Sequence, residues 1–184
     1  MNTHTFCRLI LTTLIVGLSS TACYQDPNFS IVPSISFNSI SSFTVADTFS
    51  GPTARRDSVV ITIDFRDGDG DLGEPAPPDL GRNDPKYSSW GNYELKTFRR
   101  LPDGTFKEVI LAANNKLFFP ELLKNSKKNN RRSPIEGLLD YAVYFPYSKS
   151  ATINVVKFTI RVRDRALNVS NVIESDTISV PLKI

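Results

Sequence analysis

The pattern of apolar and polar residues from Ser34 onward is that of an all-β protein. Segments rich in branched and aromatic residues alternate with polar positions, as strands with one buried face do. The sequence Leu101–Gly104 is a turn signal that joins two of these segments as a hairpin. About seven strands without a convincing long helix predict an immunoglobulin-like antiparallel β-sandwich. The predicted strands are Ser34–Ile40, Ser58–Phe65, Tyr93–Phe98, Thr105–Ile110, Leu139–Phe145, Val155–Val162 and Asp176–Leu182.

The N-terminal residues, by contrast, have the pattern of a secretory signal. Arg8 precedes an apolar run from Leu9 to Leu18, and small residues follow as far as Cys23. This run is about half as long as a membrane-spanning helix, which needs roughly 20 apolar residues. We therefore expect residues 1–22 to be a signal peptide that is removed. An uncleaved N-terminal anchor is the alternative.

The residues Ser20-Thr-Ala-Cys23 resemble the lipobox of bacterial lipoproteins. The resemblance implies that diacylglycerol is attached to the thiol of Cys23 and that this residue becomes the mature N-terminus. A secreted protein with one spare thiol is the alternative, but an unpaired cysteine is a liability in an oxidising compartment. We expect a lipidated tether at 23–33, which is polar and contains two prolines, followed by one sandwich domain at 34–184.

Removal of the signal limits the chemistry that remains. The only histidine is His4, and the only cysteine besides Cys23 is Cys7, so the mature chain has no imidazole and no free thiol. Ser-His-Asp and Cys-His catalysis are excluded, as are zinc sites built on His or Cys. The formal charge of +3 becomes +2 on loss of Arg8, which does not indicate a nucleic-acid partner. The sequence favours a protein that is not an enzyme.

A short acidic segment carries the most specific chemistry. Asp67, Asp69 and Asp71 alternate with glycines in Phe65-Arg-Asp-Gly-Asp-Gly-Asp-Leu-Gly73. Three carboxylates this close repel one another unless a cation neutralises them, and the glycines allow a tight loop that turns oxygens inward. The segment is not an EF-hand loop, because Leu72 and Pro78 stand where that motif requires Gly and Glu.

Topology adds two candidate ligands. In an immunoglobulin-like sandwich, the loop after the second strand and the loop between the last two strands lie at the same end. Asp164 and Asn168 follow the penultimate strand, so we expect them beside the acidic loop. The alternative is an acidic turn held by backbone hydrogen bonds, with Asp164 paired to Arg66 or Arg163. The predicted ligands of a structural Ca²⁺ ion are Asp67, Asp69, Asp71, Asp164 and Asn168.

The chain resembles small lipoproteins of Bacteroidota-type bacteria. The resemblance lies in the motif ending at Cys23, in the segment Phe65–Gly73 and in Val162–Ser170, which looks like the closing hairpin of bacterial immunoglobulin-like domains. It implies lipidation, an immunoglobulin-like fold, calcium, and a place in the cell envelope at the outer membrane. It does not imply an activity.

Three functions are compatible with these features. The first is a non-catalytic binding or adhesion module on the cell envelope, with a protein or glycan partner. The second is an accessory subunit of an envelope machine for secretion, gliding or uptake. The third is a glycosidase that uses the carboxylates of Glu74 and Asp79, which we disfavour because a Pro-rich loop is a poor rigid mount for catalytic groups.

Two other groups of residues are candidate binding surfaces. Tyr87, Trp90 and Tyr93 could form a platform for a sugar or peptide, although we favour their being core and rim aromatics. The segment 124–132 carries five basic residues and could bind an anion, although most such runs are solvated loops.

Overall fold

Eight antiparallel strands make up most of the described chain. The computed structural model describes residues 27–48, 50–74, 85–87, 89–111, 117–120, 122 and 133–183. Cys23, the signal segment, the basic residues of 124–132 and Asp79 lie outside these ranges. The strands are β1 (Ser34–Ala46), β2 (Arg55–Asp67), β3 (Tyr93–Arg100), β4 (Phe106–Val109), β5 (Ile135–Pro146), β6 (Thr152–Val162), β7 (Ile173–Glu174) and β8 (Ile178–Leu182), and a 3₁₀ turn lies at Pro85–Tyr87.

The strands form two sheets that pack face to face. One sheet has the order β1-β2-β5, and the other has the order β4-β3-β6 with both β7 and β8 along the far side of β6. The first, second and fifth strands therefore oppose the third, fourth, sixth and last ones, which is an immunoglobulin-like arrangement. The predicted all-β sandwich is confirmed.

The last strand is split where Ser175 interrupts its pairing with β6. The backbone N–H of Ser175 donates to the carbonyl of Phe158 at 2.9 Å, while the Oγ of Ser175 accepts from the N–H of Phe158 at 3.0 Å. A side chain thus replaces one backbone partner between β7 and β8; the predicted strand Asp176–Leu182 corresponds to β8, and β7 precedes it as a short strand that the sequence did not predict.

The core consists of inward-facing side chains from both sheets. Val59, Ile61 and Ile63 alternate along β2 and are completely buried. Phe158 and Ile160 of β6 face them from the other sheet and are also buried. Full burial of a side chain of this size stabilises the fold by about 1.5–3 kcal/mol. These layers form a rigid frame that fixes the positions of the loops at its two ends.

The two ends of the sandwich carry different loops. β2 ends at Asp67 opposite the start of β5, and β6 ends at Val162 opposite the start of β3. The loops after β2 and β6 therefore share one end, which we call the aspartate end. The β3–β4 turn and the β5–β6 turn lie at the opposite end. No helix in the described part of the chain is long and apolar enough to cross a membrane.

Candidate metal centre

Four carboxylates meet at the aspartate end. Asp67 is the last residue of β2, Asp69 and Asp71 lie in the loop that follows it, and Asp164 comes from the hairpin after β6. Each offers an oxygen, and these oxygens all lie within 4.8 Å of one another. Asp67 and Asp164 are 0% exposed, and Asp71 is 3% exposed. The structure thus brings together four of the five predicted ligands as a cluster that could hold a metal ion.

The glycines between the aspartates are required because neighbouring backbone approaches them closely. A Cβ at Gly68 would lie 2.4 Å from the carbonyl oxygen of Phe29, and the N–H of Gly68 donates to the carbonyl of Ser30 at 2.8 Å. A Cβ at Gly70 would lie 2.3 Å from the carbonyl oxygen of Ser133, and Gly70 has a φ of +68°. The loop is thereby held between the segment before β1 and the segment before β5.

The environment of Asp67 shifts the titration of its carboxyl group. Its Oδ2 accepts a hydrogen bond from the N–H of Leu72 at 3.1 Å. Its Oδ1 is buried and accepts no hydrogen bond from any residue within the described ranges. Burial, followed by the charges of Asp69 and Asp71, raises the pKa of Asp67 from 3.8 to about 6. The site therefore favours a proton or a cation at this position.

Asp164 is oriented by the hairpin in which it lies. The N–H of Asn168 donates to Oδ1 of Asp164, and the side-chain Nδ2 of Asn168 donates to Oδ2, both at 2.8 Å. Each carboxylate oxygen has a further lone pair that can face a cation. Asn168 thus holds Asp164 in place, and its own role as a metal ligand stays a prediction.

The hairpin also contacts the acidic loop directly. The N–H of Arg165 donates to the carbonyl of Asp71 at 3.3 Å, and its guanidinium donates to the carbonyl of Gly73 at 3.1 Å. A cation at the cluster would add a second link between the same two segments, which belong to different sheets.

The two arginines considered as ion-pair partners of Asp164 are engaged elsewhere. Arg66 lies 3.4 Å from a carboxylate oxygen of Glu136 and over the ring of Phe29. The Nε of Arg163 donates to the carbonyl of Gly91 at 2.7 Å, and its guanidinium lies 4.1 Å from the centre of the Trp90 ring. Neither of these two arginines is therefore the partner of Asp164.

The aromatic residues near the long loop belong to the core and its rim. Tyr87 and Tyr93 are buried, and Tyr93 stacks on Tyr141 with 4.3 Å between ring centres. Trp90 is half-buried beneath the guanidinium groups of Arg161 and Arg163. These rings do not form the open platform that a sugar would need.

Glu74 is likewise engaged with its neighbours. It accepts a hydrogen bond from the hydroxyl of Tyr87, and its carboxylate lies 3.4 Å from the ammonium of Lys86. Because Asp79 lies outside the described residues, the predicted pair of catalytic carboxylates stays a prediction.

One supporting residue carries no signal in the sequence. Asn92 is 1% exposed, and its side chain donates to the carbonyl of Phe119 and accepts from the N–H of Phe119, both at 2.9 Å. Its carbonyl accepts from the N–H of Arg163 at 3.0 Å. Asn92 thus fixes the hairpin base against residues 117–120. A lone Asn before a strand is too common to indicate such a role.

Comparison with protein-family models, with curated proteins and with solved structures gives no match for this chain. The interpretation of the cluster therefore depends on its own residues: four carboxylates, the two segments that contribute them, and buried carboxylate oxygens that include Oδ1 of Asp67.

Proposed function

We propose that this protein is a lipid-anchored, non-catalytic binding or adhesion module of the cell envelope, and that its four-aspartate cluster binds a structural Ca²⁺ ion. The observation that carries the calcium proposal is the convergence of Asp67, Asp69, Asp71 and Asp164, whose carboxylate oxygens lie within 4.8 Å of one another and of which all but the half-buried Asp69 are buried. Four negative charges gathered in this way repel one another strongly at neutral pH unless a cation lies between them.

The ligand set favours calcium over other common ions. All the donors are oxygens, which suits a hard cation, and no histidine or cysteine is present to select zinc. Calcium accepts six to eight oxygens in flexible geometry. Carboxylates can bind it through one or both oxygens, with carbonyls or water completing the shell.

The role of the ion is structural because of where its ligands come from. Asp67, Asp69 and Asp71 lie at and just after the end of a strand of one sheet, and Asp164 follows a strand of the other. A bound ion would join the two sheets at this end and stiffen both loops. A ligand that binds only the folded state stabilises it by RT ln(1 + L/Kd), where L is the free ligand concentration, so the stabilisation increases with the logarithm of the ligand concentration above Kd.

The remaining parts of the proposal are supported by the sequence. The lipobox resemblance at Ser20–Cys23 supports attachment through lipid on Cys23, and the resemblance to small lipoproteins of Bacteroidota-type bacteria supports a location at the outer membrane. The absence of histidine and free thiol from the mature chain supports a binding role for a protein or glycan partner.

The calcium proposal predicts a cation-dependent melting temperature. We expect the chain from Tyr24 onward to unfold several degrees higher in millimolar Ca²⁺ than in EDTA, because only the folded state assembles the four carboxylates. Asp69→Ala and Asp164→Ala should each lose most of this increase, since each removes a ligand from one of the two segments. Thermal unfolding followed by circular dichroism measures both effects.

A matched control is Asp176→Asn, which changes an exposed carboxylate between β7 and β8. It should retain the full increase in melting temperature. An equal melting temperature in Ca²⁺ and EDTA for the unsubstituted chain would contradict the proposal.

The accessory-subunit function is favoured by one structural feature. β5 lies at the edge of its sheet and pairs only with β2 among the described strands. Its exposed face carries Leu138, 61% exposed, and Tyr144, 50% exposed. An edge strand with apolar side chains can accept a strand from another protein.

A further inference from the structure

We propose that the aspartate end of the sandwich faces the membrane and that an apolar rim around the cluster contacts the bilayer surface. The rim consists of Ile31, Val32, Leu167, Val169 and Val172. This inference rests on the proposed lipidation of Cys23, and it assigns the membrane as the occupant of one particular surface.

The path of the tether determines which end is near the membrane. The carbonyl of Ser30 accepts a hydrogen bond from the N–H of Gly68 in the acidic loop. The carbonyl oxygen of Phe29 lies close to Gly68, where a side chain would otherwise be. Four peptide steps separate Cys23 from Pro27, the first described residue. They span at most about 14 Å. A strand as long as β2, with 13 residues, spans roughly 43 Å. The anchored end and the aspartate end are therefore the same end.

The tether contributes the first part of the apolar rim. Ile31 is 60% exposed and Val32 is 44% exposed, directly after the residue that accepts the hydrogen bond from Gly68. The next residue, Pro33, is buried. The tether thus enters the domain at Pro33, while the two side chains before it stay in contact with solvent.

The hairpin after β6 contributes the second part. Leu167, Val169 and Val172 are 39%, 39% and 58% exposed. The side chain of Asn171 accepts from the N–H of Ile35 at 3.0 Å and donates to its carbonyl at 2.8 Å. This double hydrogen bond fixes the hairpin beside the start of β1, so its valines and the apolar tether residues share one rim.

Leu167 is the strongest evidence that the rim has a function other than stabilising the fold. It is the only non-glycine residue with a positive φ in the described part of the chain, at +70°. Glycine or asparagine adopts this conformation at lower cost. The exposed part of the Leu167 side chain is available to insert among lipid headgroups, as interfacial apolar side chains do.

The test uses the full-length lipidated protein in phosphatidylcholine vesicles with Ca²⁺. Lipidation occupies Cys23, so a single introduced cysteine can carry a fluorophore. Ala166→Cys places the label on the exposed hairpin tip, and Lys149→Cys places it on the exposed β5–β6 turn at the opposite end. We expect lipids that carry a nitroxide near the headgroup to quench the first label at least about 3-fold more than the second. Adding Leu167→Asn and Val172→Asn to the first variant should reduce its quenching.

Flotation of the vesicles separates the possible failures. Protein that floats with the vesicles but shows equal quenching at both labels overturns the membrane-facing rim and leaves the lipid anchor intact. Protein that does not float overturns the anchor and the rim together. Self-quenching of the hairpin label that increases with protein density, without quenching by lipid, would assign the rim to a second copy and overturn the membrane assignment.

Discussion

At the level of single residues, Asp67 connects the charge of the cluster to the stability of the fold. Its pKa is raised to about 6 because it is buried and because Asp69 and Asp71 lie beside it. In the unfolded chain the same carboxyl titrates near 3.8. The folded protein without a cation therefore holds a proton more tightly than the unfolded chain does.

This difference predicts an unusual pH dependence in EDTA. Below pH 4 the proton is bound in both states, and as the pH rises through 6 the folded state must ionise a buried group. The free energy of unfolding should therefore decrease through Asp67 by on the order of 2 kcal/mol between pH 4.5 and pH 7. Urea unfolding at pH 4.5 and pH 7 measures it.

The matched variant for this experiment is Asp67→Asn, which removes the titrating group while keeping its shape. It should show a smaller decrease between the two pH values. In Ca²⁺ the sign should reverse, because the ion binds the carboxylate and competes with the proton. A steeper decrease in Asp67→Asn than in the unsubstituted chain would contradict this assignment.

Gly70 gives a second prediction at the residue level. Gly70→Ala should destabilise the chain by more than about 2 kcal/mol, because the new Cβ would lie 2.3 Å from the carbonyl oxygen of Ser133 at a positive φ. Gly104→Ala is the control, since Gly104 also has a positive φ but its Cβ would meet only a side-chain atom at 4.0 Å. That change should cost only about 1 kcal/mol. Equal losses of unfolding free energy in urea would show that the contact with Ser133 is unimportant.

At this same level, the sequence predicted the cluster more completely than its surroundings. The spacing of Asp67, Asp69 and Asp71 indicates the chemistry, and the assumed topology correctly places Asp164 beside them. The glycines indicate that some backbone comes close. They do not identify this backbone as that of residues 29–30 and 133, because every residue has a backbone carbonyl and the sequence does not show which one approaches a glycine.

At the level of the elements, the hairpin after β6 has two properties that the stability of the fold does not require. It holds Asp164 through Asn168, and it carries an exposed leucine in a left-handed conformation. The first property belongs to the site. The left-handed conformation of Leu167 decreases the stability of the fold. Its cost can therefore be measured on the soluble chain, without a membrane.

Replacing this leucine should stabilise the chain. Leu167→Asn should increase the free energy of unfolding of the chain from Tyr24 onward by about 1 kcal/mol, because asparagine tolerates a positive φ better than leucine does. Val169→Asn is the control, since Val169 is equally exposed at 39% but is not among the residues with positive φ. Denaturant unfolding compares the two. A loss of stability in Leu167→Asn would show that Leu167 packs within the fold.

The strands were predictable where apolar residues alternate, but their ends were not. β1 continues from Ile40 to Ala46 through a largely polar stretch, and β2 begins at Arg55 among charged residues. These extensions pair with each other, and the hydroxyl of Thr44 donates to the carboxylate of Asp57 at 2.7 Å. These parts of the strands are stabilised by polar contacts between neighbouring strands and not by alternating apolar residues. Neither segment, taken alone, shows which segment it pairs with.

At the level of the whole molecule, the proposals together give the domain a polarity. The proposed anchor and the proposed cation site lie at one end with residues 27–33, while the β3–β4 and β5–β6 turns lie at the other. A partner in the surrounding medium would meet the second end or the exposed edge of β5. The search for a binding partner should therefore begin with surfaces distant from the aspartates.

The contact between Ser30 and Gly68 also has a mechanical consequence. A pull on the far end of an anchored protein would reach the membrane through residues 27–33, and thus through the loop that holds three of the four carboxylates. A bound cation would divide this load between the two sheets, because it would join the loop after β2 to the hairpin after β6. The tensile strength of the attachment would then depend on the calcium concentration outside the cell.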